Sequence, residues 1–233
     1  MPFAHIFLAI AGGILPAVLW LWFWLKEDRL HPEPRRLIIL TFLAGMMVVA
    51  LALPLEQLAF YLLGKIGLAS AINGFLLLFL WAMAEEISKY LAAKKIALSR
   101  QECDEPVDAL IYLITAALGF AAMENVIFLV EIVGNYGPLA GFVTGNLRFV
   151  GATLVHVLSS AAIGASIAFC FFHKEKYHRN VIFGLLFGTT LHALFNYFII
   201  ESEGENILQV FLPFWFLVVI LLLIFEKIKR IKS

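Results

Sequence analysis

Seven apolar runs, at 3–25, 37–55, 71–93, 107–132, 149–172, 181–200 and 207–225, decide what this chain can become. Each is near the roughly 20 residues that a helix needs to cross a hydrocarbon core of about 30 Å. In lipid the backbone must satisfy its own polar groups, so spanning segments fold as helices. The expected fold class is all-α, a polytopic transmembrane helix bundle of about seven helices. Residues 1–233 form a single integral-membrane domain, because the longest polar connections are too short to hold a soluble one. Composition excludes the cytosolic alternative: only 15% of residues are charged, against about 25% in an average soluble domain. The first run has no basic segment before it and is long enough to span, so it reads as a retained anchor.

Lys and Arg sort between the connections in strict alternation. Successive connections and the tail carry four, one, three, one, three, none and four. Positive segments stay in the cytoplasm, which puts the N-terminus outside and the C-terminus inside. The expected location is the cell membrane, as a multi-pass protein. Net charge is zero, so no basic field draws nucleic acid, and the lipid bilayer is the expected surrounding partner. Cys103 and Cys170 fall at the cytoplasmic face, where thiols stay reduced. Trp20, Trp22 and Trp24 read as interfacial anchors, Glu131 and Asp108 as water-facing residues near span ends, and paired glycines such as Gly184 and Gly188 as points of close helix approach.

Lys89 is the one basic residue left inside a span, and it lies beside two glutamates. An ionisable group at the centre of a bilayer costs about 2.5–3.5 kcal/mol on the insertion scale, so it needs a partner or a wet cavity. Here four consecutive spans over about 71–200 are marked: Glu85, Glu86 and Lys89 on the third, Glu124 on the fourth, His156 on the fifth and His192 on the sixth. Glu85 with Lys89, Phe120 with Glu124, His156 with Ser160, and His192 with Asn196 are all i, i+4 pairs, each on one helix face. At 1.5 Å per residue, Glu124, His156 and His192 lie roughly 10–12 Å from the outer ends of their spans, and Glu85 about 16 Å. All four can therefore meet in the outer half of the membrane. Adjacent residues on a helix diverge by about 100°, so Glu85 and Glu86 cannot face one cavity equally, and Lys89 can reach either. A carboxylate so held is a candidate general base. Two histidines and a glutamate can hold Zn²⁺ with an open position while a second glutamate serves as base. A metal-free, glutamate-activated water has the same residues available. Buried Glu and His pairs also suit a proton-coupled membrane transporter, although the chain shows no repeated halves.

In order along the chain, EEISK fits EExxK, FAAME fits FxxxE, HVLSS fits HxxxS and HALFN fits HxxxN, after an early KEDRLHPEPRR. This ordered set resembles the PrsW family of intramembrane proteases, over about 19–196. The resemblance implies a membrane-embedded endopeptidase related to the CAAX prenyl endopeptidases. It implies as partner a single-pass membrane protein substrate, such as an anti-sigma factor cut on the outer side. Carried over, it has Glu85 or Glu86 activate water, with Glu85 preferred, Glu124, His156 and His192 hold that water or a metal, and Asn196 assist the oxyanion. Lys89, Phe120 and Ser160 support them. CAAX-type processing proteases have histidine where this chain has Glu124, so the substrate need not be prenylated.

Overall fold

The computed structural model describes residues 2–26, 31–65, 74–202 and 206–231, which are almost entirely helical and contain no strand. Residues 27–30 of the early basic motif, the start of the third expected span at 71–73 and the middle of the last hairpin at 203–205 lie outside the described residues. The helices are α1 (Phe3–Leu25), α2 (Arg35–Met47), α3 (Val49–Lys65), α4 (Phe75–Ala93), α5 (Pro106–Tyr136), α6 (Pro138–Val150), α7 (Ala152–Ala168), α8 (Tyr177–Glu201) and α9 (Ile207–Ile228). Because α2 with α3 and α6 with α7 are near-continuous pairs, they make seven crossing units. Six of these units are long and apolar enough to span by themselves. The seventh, α4, is set apart by Glu85, Glu86 and Lys89 within its 19 residues.

α5 is the central mast. Nearly every residue from Pro106 to Ala122 is buried, so it reads as a helix hydrophobic all round. Close approach to it is built on missing side chains. A Cβ at Gly45 of α2 would run into the Ala116 carbonyl, one at Gly119 into the Phe42 carbonyl, and one at Gly164 of α7 into the backbone of Ala109 and Leu110. α8 docks on α7 the same way, with Gly184 against Ile163 and Gly188 against the Ser159 carbonyl. The packing expected at Gly184 and Gly188 is therefore present.

Three expectations change. Residues 138–148, expected in an outer connection, form α6, which turns back at Gly137 (φ 85°) and lies antiparallel along α5, with Gly141 on Val133. Its Gly, Asn and Arg content lowers hydropathy, and packing on α5 compensates. The fifth span thus runs Pro138–Ala168, bent at Gly151, where a Cβ would strike the Phe211 ring. Trp20 and Trp24 are internal: Trp24 is fully buried and stacked on Phe225 at 5.5 Å, and Trp20 packs on Phe149 and Trp215. Only Trp22 is exposed, with the Lys26 ammonium over its ring. Asp108 is buried rather than water-facing, because its carboxylate accepts the backbone N–H groups of Asp104 (2.9 Å) and Glu105 (2.7 Å) in a capping box at the start of α5.

At that same end, His31 pairs with Glu105 at 2.7 Å and the Tyr112 hydroxyl donates to Glu33, which fastens the segment before α2 to α5. Burial, with Asp108, Glu33 and Asp104 nearby, pushes the Cys103 thiol up to about 12. Both cysteines are free.

Candidate active site

α4, α5, α7 and α8 carry their ionisable side chains to one point, and Lys89 stands in the middle of it. The ammonium is fully buried. It donates to Glu86 Oε1 at 2.7 Å and to Glu85 Oε2 at 3.4 Å, and it lies 2.7 Å from His156 Nδ1. The Phe120 ring lies beneath it, 4.4 Å from Nζ to the centroid, a cation–π contact. An ammonium has no lone pair, so His156 Nδ1 must accept, and the ring proton then sits on Nε2. That N–H donates to Glu124 Oε2 at 2.9 Å.

The two glutamates of α4 separate as their 100° divergence requires. Glu86 is fully buried and surrounded by donors: Lys89, Ser159 Oγ at 2.8 Å and His192 Nδ1 at 2.9 Å on Oε1, and Ser160 Oγ at 2.7 Å on Oε2. Glu85 is engaged only through Oε2, and only loosely, with His156 Nδ1 at 3.6 Å and His192 Nε2 at 3.8 Å. The two imidazoles meet edge to face at 4.8 Å.

Glu85, His156 and His192 offer ligand atoms within 4.8 Å of one another. Each histidine is aimed by a carboxylate on its far nitrogen, His156 by Glu124 and His192 by Glu86. This is the outer arrangement that orients metal-ligating histidines. Ligands of a tetrahedral ion at about 2.0–2.1 Å stand roughly 3.4 Å apart, near the 3.6 and 3.8 Å found here. The donor set fits a divalent ion such as Zn²⁺. It places Glu85 where the expected set had Glu124, which instead serves His156 from behind.

Phe120 and Ser160 are in the cluster as expected. Asn196 lies one turn beyond His192, half-buried, and among the described residues no hydrogen bond joins it to the cluster. In depth, Glu85 lies about 15 Å from Phe75 and His192 about 14 Å from Glu201. Glu124 lies about 18 Å from Tyr136, deeper than expected because α5 runs four residues past 132. Two contributors were missed. Arg148 of α6, counted as a loop charge, pairs with Glu124 at 2.8 Å and reaches Asn125 Oδ1 at 2.5 Å. Asn125 in turn donates to Thr153 at 3.1 Å. Ser159 shares Glu86 with Ser160. The available signals were the isolation of Arg148 between apolar stretches and the SS pair itself.

A family model described as PrsW family intramembrane metalloprotease matches residues 33–224. The chain belongs to the PrsW family. Curated relatives named Protease PrsW agree. The one from Geobacillus kaustophilus is 25% identical over 198 residues, covering 84% of this chain and 82% of the relative. That from Oceanobacillus iheyensis is 26% identical over 194 residues, 81% of each. That from Clostridioides difficile is 25% identical over 202 residues, 85% of this chain and 82% of the relative. No solved structure gives a significant match. Like its family, this PrsW protein is a multi-pass intramembrane protease, which sets the transporter alternative aside.

Proposed function

We propose that this protein cuts a single-pass membrane protein at a peptide bond in or beside its membrane segment, with Glu85 as the carboxylate that activates water. The observation that carries this reading is the contrast between the two adjacent glutamates. Both oxygens of Glu86 accept hydrogen bonds, three on Oε1 and one on Oε2, whereas every polar contact of Glu85 among the described residues runs through Oε2. Its other oxygen is the one that can take a proton from an attacking water and return it to the leaving amide nitrogen. His192, held by Glu86, presents Nε2 to that water, and His156, held by Glu124, fixes the Lys89 ammonium beside it. Asn196 donates to the oxygen that becomes negative at the scissile carbonyl. Zn²⁺ held by Glu85, His156 and His192 would supply a polarised water and a Lewis acid.

A bound substrate must unwind locally, because a peptide bond inside a helix is shielded by its own hydrogen bonds. The family resemblance offers an anti-sigma factor cut on the outer side as the substrate class. The test compares the proteins shed or trimmed in membranes carrying the wild type with those carrying Glu85→Gln at equal abundance. Single-pass proteins cut only by the wild type support the proposal, and identical profiles refute it.

A further inference from the structure

We propose that the Lys89 ammonium is a resident cation at the metal position, which an incoming divalent ion must displace. This rests on the reading that Glu85, His156 and His192 hold the ion. Two of that ion's three donor atoms, His156 Nδ1 and Glu85 Oε2, are already partners of Lys89 Nζ, at 2.7 and 3.4 Å. The Nδ1 lone pair serves one cation at a time, so ion and ammonium exclude each other there. Their like charges oppose joint occupancy of Glu85 as well.

The ammonium has a place to retreat. Its third partner, Glu86 Oε1 at 2.7 Å, lies outside the donor set, and the four-carbon stem is flexible. Glu86 therefore keeps a claim on Lys89 in both states. The arrangement also explains why a lysine is present among metal donors. Clustered carboxylates buried without a counter-charge are strongly destabilising, and an internal cation keeps the bundle folded whether or not an ion is bound. The cost is weaker ion affinity.

The experiment uses the full chain in detergent, with Zn²⁺ titrated directly and Co²⁺ as an absorbing probe, on the wild type and Lys89→Met. Lys89→Met is expected to bind Zn²⁺ about 10- to 100-fold more tightly, the gain when the competent state is a minor one of about 1–10% in the wild type. Its Tm is expected to fall on chelation and recover with Zn²⁺, while the wild-type Tm barely responds. Should Lys89→Met fold poorly, Lys89→Gln, which keeps an N–H donor toward Glu86 without the charge, is measured instead, with a gain in the same direction expected. Equal or weaker binding in the lysine variants, with binding abolished by Glu85→Gln or His192→Ala, overturns the displacement and leaves the metal site standing. Zn²⁺ binding by none of the variants overturns the displacement together with the metal reading.

Discussion

Replacing Glu86 with glutamine should damage the fold far more than the same change at Glu85, although the two residues are adjacent. Glu86 accepts four hydrogen bonds of 2.7–2.9 Å at a fully buried site. Bonds to a charged group contribute about 1.5–3 kcal/mol and neutral ones about 0.5–1.5, so each loses about 1 kcal/mol when the acceptor becomes an amide. Ser160 can reverse its hydroxyl toward the new amide, leaving about 3 kcal/mol from the other three. Lys89 also loses its nearest counter-charge, which brings the total into the range of about 3–5 kcal/mol seen when one partner of a buried pair is removed. At Glu85 the nearest donor is 3.4 Å away and the rest are beyond hydrogen-bond length, so Glu85→Gln costs about 1 kcal/mol. For a chain of this size the difference corresponds to a Tm lower by about 6–20 °C for Glu86→Gln and by about 2–4 °C for Glu85→Gln. The assay is thermal unfolding of the detergent-solubilised variants, run beside cleavage in membranes at matched abundance. Glu85→Gln should be well folded and inactive. Equal destabilisation, or a larger loss at Glu85, would refute the division of labour between the two.

Arg148→Ala removes the ion pair behind His156 and should lower cleavage by about 10- to 100-fold, as losses behind a metal-orienting histidine do. Arg148→Lys should restore it only in part, since a lysine cannot hold Glu124 and Asn125 together; unchanged turnover in both would count against a positioning role. Gly188→Val places side-chain atoms against the Ser159 carbonyl, and overpacking of this kind costs about 1–3 kcal/mol. Activity should fall further than stability does, because α8 carries His192, and a Tm series paired with cleavage rates checks this. Cys103 should resist alkylation at pH 7.5 in the folded chain and react once unfolded. Its thiol is raised from its ordinary 9.0 to about 12, so the folded form holds its proton more tightly. The stability this contributes is complete below about pH 9 and is lost as pH rises toward 12, which a Tm series over that interval would read out against Cys103→Ser.

The bundle was legible because a membrane leaves a chain few ways to place an ion. Glu85, Glu124, His156 and His192 are conspicuous against apolar sequence, and their i, i+4 companions declared which face each helix turns inward. Their convergence follows from cost: each needs the others. The sequence was less informative where two physical roles share one residue type. Tryptophan near a span end suits an interface or a packed core, and Trp24 went inward because Phe225 offered it a face. Arg148 resembles any topological charge until α6 folds back on α5, an event written in Gly137, Gly141 and Gly145 rather than in hydropathy. Which carboxylate groups with both histidines was also out of reach, since whether Glu85 or Glu124 does so depends on helix rotation of a few tens of degrees, which spacing alone does not fix.

The fold-back of α6 has a mechanical side. α5 and α6 form a hairpin sprung at Gly137, with a glycine contact near the turn and the Arg148–Glu124 pair at the open end. Any outward displacement of α6 pulls Arg148 off Glu124, the carboxylate that holds His156 Nε2. Moving α6 away from α5 and loosening His156 are thus one movement.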